Sequence, residues 1–204
     1  MNNAKSSPFF GILAAVLVLL YILTLGWFLS MEARAEAEAG MQVSWNLVVN
    51  GLLLSIPLVL FYGSVGLLIV AYRQRKAQGQ ISRRLAGFIY WAPRVAGVVI
   101  ILFVALFSLD VFSEGGNFWE MLGGFVMHSL PSIVMGVLMA FAWRRPVVGF
   151  IAFGLMALFF MRFVLFDPMH GLGNFILFTC PMAVIAALFW ANWKWKDELS
   201  SASR

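Results

Sequence analysis

Charge is what this chain has least of. Asp, Glu, Lys and Arg make up 11% of its 204 residues, about half the share of an ordinary soluble domain. Cysteine is nearly absent as well: Cys180 stands alone, which excludes an internal disulfide and a cysteine metal cluster. Of the two histidines, only His128 falls inside an apolar run, so a haem held by two intramembrane histidines is excluded. There is no glycine-rich phosphate loop and no metalloprotease helix. The segment FYGSVG around Ser64 lacks the glycine two residues before the serine that a nucleophile elbow requires. No catalytic residue, cofactor or metal site is therefore expected, and the chain is read as a non-enzyme.

What is present is apolar length. Hydrophobic residues reach 62% and the mean hydropathy is +0.92. Between Arg94 and Asp110 lie fifteen residues without a charge, too long for a soluble strand and without the polar face of a soluble helix. The fold class is all-α: a polytopic membrane protein with six transmembrane helices. The first two, 8–31 and 45–72, form an N-terminal hairpin (1–72). A basic cytoplasmic and interfacial linker follows at 73–92. A four-helix membrane module then runs over 93–193, with helices at 93–112, 119–143, 146–166 and 174–193, before a polar cytoplasmic tail at 194–204 that is expected to be loose.

Three local signals shape that division. The apolar run opening at Pro8 exceeds the ordinary core of a signal peptide, about 7–15 residues, so it reads as a retained anchor despite the Ala-x-Ala triplets near Ala33. Met31–Gly40 reads as a helix end protruding into water, with Asn46 and Asn50 sharing a face at the start of the next helix. Pro93 suits the first turn of a helix, and Tyr90 and Trp91 prefer headgroups. A short interfacial segment, Ser82–Ala92, is thus expected before helix 3, with Trp91 and Arg94 as its interfacial anchors.

Orientation follows from the basic residues. With both termini inside, the inner segments hold Lys5, Arg73, Arg75, Lys76, Arg83, Arg84, Arg144, Arg145, Lys194, Lys196 and Arg204, and the outer loops hold only Arg34. The eight tryptophans all fall near helix ends, as interfacial belts require. The expected location is the bacterial cytoplasmic membrane, with the lipid bilayer as the main partner. A membrane-protein partner or homo-oligomer would add to it, and nucleic acid is excluded because the net charge of +5 is a topology signal.

A few polar residues interrupt the apolar runs. Glu120, Gly124, His128, Ser132, Gly136 and Ala140 recur at every fourth position, which predicts a side of helix 4 that lets another helix approach. That places His128 toward protein, either as a packed histidine or as a proton relay. Asp110, near the outer end of helix 3, needs a partner in a low-dielectric setting, and Arg162 at similar depth or His128 can supply it. Asp110, His128, Arg162 and Glu120 form the expected intramembrane polar cluster. Arg162 can alternatively extend to the headgroups. A metal set of Asp167 and His170 with Glu114 or Glu120 is too loose in spacing to carry an assignment.

From about Arg84 to Trp193 the chain resembles a family of uncharacterised bacterial multi-pass membrane proteins, a domain of unknown function. The resemblance rests on YWAPR at Tyr90–Arg94, FSLDVF at Phe107–Phe112, Trp119, His128 with Leu130 and Pro131, and WRRP at Trp143–Pro146. It implies the fold and the compartment and no activity. The expected function is that of a non-catalytic accessory or partner-binding membrane subunit. The alternative is a small-solute or proton-coupled transporter using Asp110, His128 and Glu120.

Overall fold

The computed structural model describes residues 8–38, 45–112, 117–166 and 173–202, and these are helical apart from short connections. Helix α1 spans Pro8–Glu38, α2 Trp45–Gln78, α3 Arg83–Leu106, α4 Phe118–Arg144, α5 Pro146–Phe166, α6 Cys180–Lys194 and α7 Lys196–Ala202. Among the described residues, five stretches are long and apolar enough to cross a membrane: Pro8–Glu38, Leu47–Gln78, Arg83–Phe112, Phe118–Arg144 and Phe175–Lys194. Within α5, Pro146–Arg162 is a shorter apolar stretch.

Helices α1 and α2 form an antiparallel hairpin. The Arg73 guanidinium lies 3.8 Å from the centroid of the Phe9 ring. Further along, the Thr24 hydroxyl meets the Tyr62 hydroxyl at 2.7 Å, and Asn50 Nδ2 donates to Glu32 Oε1. Helix α2 ends at Gly79, whose φ of +72° suits a residue without Cβ. Its N–H reaches the Arg75 carbonyl at 2.8 Å, closing the helix end.

Helix α3 starts well before the expected Pro93. It runs unbroken from Arg83 through Pro93 and tightens into a 3-10 turn over Phe107–Phe112, so Ser82–Ala92 is not a separate interfacial segment. The reason is local compensation at Pro93, described below. The tail also departs from expectation: α7 folds back, burying Leu199 at 2% exposure and pairing Glu198 with Arg75 at 2.9 Å. Its Leu199 is the one apolar residue of α7 that a loose tail would leave in water besides the small Ala202.

The main core lies between α3, α4, α5 and α6, where Ile100, Phe103, Met135, Phe153, Ile185 and Phe189 are buried. A second cluster at the basic end joins Ala71, Ile81, Ala86, Ile89, Ala191, Trp195 and Leu199. Helices α5 and α6 approach closely at Gly149, where a Cβ would stand 2.6 Å from the Phe189 ring. Ahead of Pro181, which cannot donate to the Leu177 carbonyl, the chain loosens into a π turn at Phe175–Thr179. That turn sets Phe178 against Phe160, stacked at 4.9 Å, and against Phe103 and Phe107.

Candidate functional site

Two polar features stand out, one at each end of the bundle. At the basic end Pro93, lacking an N–H, leaves the Ile89 carbonyl without its helical donor. Asn192 of α6 supplies one: its Nδ2 donates to Ile89 O at 2.7 Å and to Leu188 O at 3.0 Å. The Asn192 Oδ1 accepts from Arg94 Nη1 at 3.0 Å. The same Nη1 donates to the Tyr90 carbonyl, and Nη2 donates to the Trp143 carbonyl at 3.2 Å. Trp143 lies in the last turn of α4, whose terminal carbonyls have no partners within the helix and carry partial negative charge.

Arg94 is therefore no headgroup anchor. It is 2% exposed, its guanidinium rests 3.9 Å from the centroid of the Tyr90 ring, and only Nε lacks a hydrogen bond. No carboxylate among the described residues balances its charge; carbonyl dipoles from α3 and α4, the Asn192 amide and an aromatic face do so instead. Trp91 stays half exposed at 50% and meets Trp143 edge-on at 6.0 Å. Trp195, expected in the interfacial belt, is buried, with the Arg75 guanidinium 5.1 Å from its ring centroid.

At the opposite end, a cavity of about 560 Å³ lies between the α1–α2 hairpin and α3. Its lining includes Trp27, Phe28, Glu32, Asn50, Phe107 and Asp110. Phe103 forms part of its floor, above the buried core. Among the described residues, two carboxylates and no basic side chain line it.

Two members of the expected polar cluster, Glu120 and His128, are engaged with their own helix. Asp110 faces the cavity. Glu120 is used in capping α4: its Oε2 accepts from Asn117 N–H at 3.2 Å, while Asn117 Oδ1 accepts from Trp119 and Glu120 N–H, each at 3.0 Å. His128 is exposed, and its Nδ1 lies 2.9 Å from the Gly124 carbonyl of its own helix. It does not face the protein interior. The reason is phase: a four-residue repeat drifts about 40° per step on a 3.6-residue helix. Of the expected stripe, Ser132 lies on the buried face of α4 with Ser129, Met135, Met139 and Ala142, and Gly124 packs against Val111, whereas Gly136 and Ala140 point outward with His128. Arg162 has its guanidinium 4.5 Å from the centroid of the Phe159 ring, a neighbour on its own helix. Glu114, Asp167 and His170 lie outside the described residues.

Asn192 is the residue that the sequence reading missed. An asparagine among apolar neighbours on α6 is costly unless hydrogen-bonded, and Pro93 elsewhere frees a carbonyl. Neither signal says that the two meet.

The sequence profile of a domain of unknown function (DUF7670) matches residues 82–200. That is more than half the chain, and the chain belongs to this family. No curated protein and no solved structure matches it. The matched span contains Arg94, Asn192 and Asp110, whereas Glu32 and Asn50 lie on the hairpin that precedes it.

Proposed function

We propose that this chain is a non-catalytic, multi-pass protein of the bacterial cytoplasmic membrane that serves as a partner-binding or accessory subunit. In this reading six helices cross the bilayer, with α5 as the sixth span. Its 21 residues reach about 31 Å, enough for a hydrocarbon core of about 30 Å. Both termini and the Arg75 turn face the cytoplasm, following the basic residues. Asp110 pairs with Arg162 across helices.

The observation that carries the non-transporting reading is the filled interior below the cavity. Ile100, Phe103, Met135, Phe153 and Met182 occupy the level between the two polar ends, each at 4% exposure or less. A proton or solute path needs a continuous run of polar groups or water through that level, where Ser132 is a buried polar side chain among Ile100, Met135, Phe153 and Met182. Glu120 and His128, which such a path would use, are engaged with their own helix.

Reconstitution into proteoliposomes tests this reading. It predicts no protein-dependent proton or solute flux above that of empty vesicles. A flux that Asp110→Asn abolishes would overturn it in favour of transport.

A further inference from the structure

The basic residues around the turn between α2 and α3 are not equivalent. Arg75 is taken by Glu198 at 2.9 Å. Arg73 and Arg84 line a groove of about 670 Å³ formed by the start of α1, the end of α2 and the start of α3, whereas Lys76 and Arg83 stand exposed outside it. Among the described residues, no carboxylate lines this groove. Its wall is built by specific contacts: the Arg73 guanidinium lies 3.8 Å from the centroid of the Phe9 ring. Gln74 Oε1 accepts from the Ser82 N–H at 3.2 Å, tying the end of α2 to the start of α3.

The groove is also graded along the helices. Gln74, Gln78 and Ser82 lie at its outer level with the two arginines. One turn further toward the middle of the apolar spans, about 5 Å, α2 contributes Val70 and α3 contributes Phe88. Phe10 joins them from α1, and Phe10 and Phe88 are both exposed to the surroundings of the bundle. Charge at one level and apolar surface one turn below it match an amphiphile, and a free anion would use the upper level alone.

We propose that this groove binds one anionic phospholipid of the bilayer, with its phosphate at Arg73 and Arg84 and an acyl chain along Phe10, Val70 and Phe88. Guanidinium donors match phosphate oxygens in pairs, and basic pockets between spanning helices suit anionic headgroups. A zwitterionic lipid would bring its ammonium to two cations with no acid to balance it, so the groove selects by headgroup charge. The site joins two regions of the chain: Arg73 and Phe10 come from the hairpin, Ser82, Arg84 and Phe88 from the family domain. The assignment rests on the reading that the helices cross a bilayer and is independent of the accessory role.

The experiment uses the full chain in nanodiscs of phosphatidylethanolamine with phosphatidylglycerol as the minor lipid, and counts the lipids that stay bound on release by native mass spectrometry. One phosphatidylglycerol per chain is expected to be retained in preference to phosphatidylethanolamine. Arg73→Gln combined with Arg84→Gln is expected to weaken that retention at least about tenfold. Lys76→Gln combined with Arg83→Gln removes the same charge outside the groove and is expected to leave retention unchanged. Ala77→Trp, which fills the groove with both arginines intact, is expected to weaken it and keeps the test valid if the neutralised variant does not fold. Equal retention of the two lipids, equal loss in the two charge-neutralised pairs, full retention in folded variants of both groove kinds, or displacement of the lipid by inorganic phosphate would overturn the assignment. Flotation with liposomes separates the two levels of failure. A chain that floats without lipid preference overturns this site alone, and one that does not float overturns the membrane reading with it.

Discussion

At the basic end, Arg94 and Asn192 are each 2% exposed and direct their donors at backbone carbonyls of three helices. At the far end, Glu32 and Asp110 face a cavity of about 560 Å³. Both ends place polar groups among apolar helices, and the difference lies in what completes them. The first set is completed within the chain, because a proline and a helix terminus have released carbonyls that need donors. The second sets two carboxylates and four aromatic rings along the wall of a cavity. The comparison teaches that a charge beside an apolar run can fasten a packed core or line a cavity, and that the packing around it separates the two.

The fastener can be broken first, with the largest expected effect. Asn192→Leu takes one of its two acceptors from Arg94 Nη1, which keeps the Tyr90 carbonyl, and leaves the Ile89 carbonyl without a donor; each buried group left unsatisfied costs about 1–3 kcal/mol. Reversible unfolding in mixed micelles measures that loss. Adding Pro93→Ala restores a helical donor for Ile89 O and should recover about 1 kcal/mol, the usual worth of one hydrogen bond. Recovery would tie Asn192 to the proline, and no recovery would show that the amide serves Arg94 alone.

The helix contact beside the fastener comes next. Gly149→Ala places a methyl against the Phe189 ring and should destabilise by about 1–3 kcal/mol, read in the same unfolding assay. At the open end, Asn117→Ala removes the cap of α4 and should cost about 1 kcal/mol. This variant should leave the basic end intact, so the fluorescence of Trp91 and Trp143 should not change. The smallest effect belongs to Glu198→Gln. The Arg75–Glu198 pair is about one third exposed on each side, and such pairs contribute about 0–1 kcal/mol. A melting shift beyond that range would mean that α7 is held by more than Leu199 and this pair.

The apolar runs, the helix ends marked by Arg144 and Pro146, and the start of α4 near Trp119 were legible because each depends on neighbours in sequence. Hydropathy over a window and helix-end chemistry are local properties. The course of α3 was not legible: Pro93 reads as a helix start until Asn192, far along the chain, is known to serve the carbonyl it frees. Arg94 was misplaced for the same reason, since a headgroup and a set of buried carbonyls satisfy a guanidinium equally well on paper. His128 was turned the wrong way because a four-residue repeat does not keep to one face. Asp110 was recognised as needing company, but the cavity beside it depends on Glu32 and Asn50, which only the packing of the hairpin brings near.

A double-mutant cycle on Arg94→Met and Asn192→Leu, read by reversible unfolding, tests the closed end directly. If the two side chains act as one unit, the double variant should lose less stability than the single losses added together, by more than about 1 kcal/mol. Losses that add to within about 0.5 kcal/mol would mean that Arg94 and Asn192 stabilise the bundle separately, and the contrast between a fastened end and an open one would not stand.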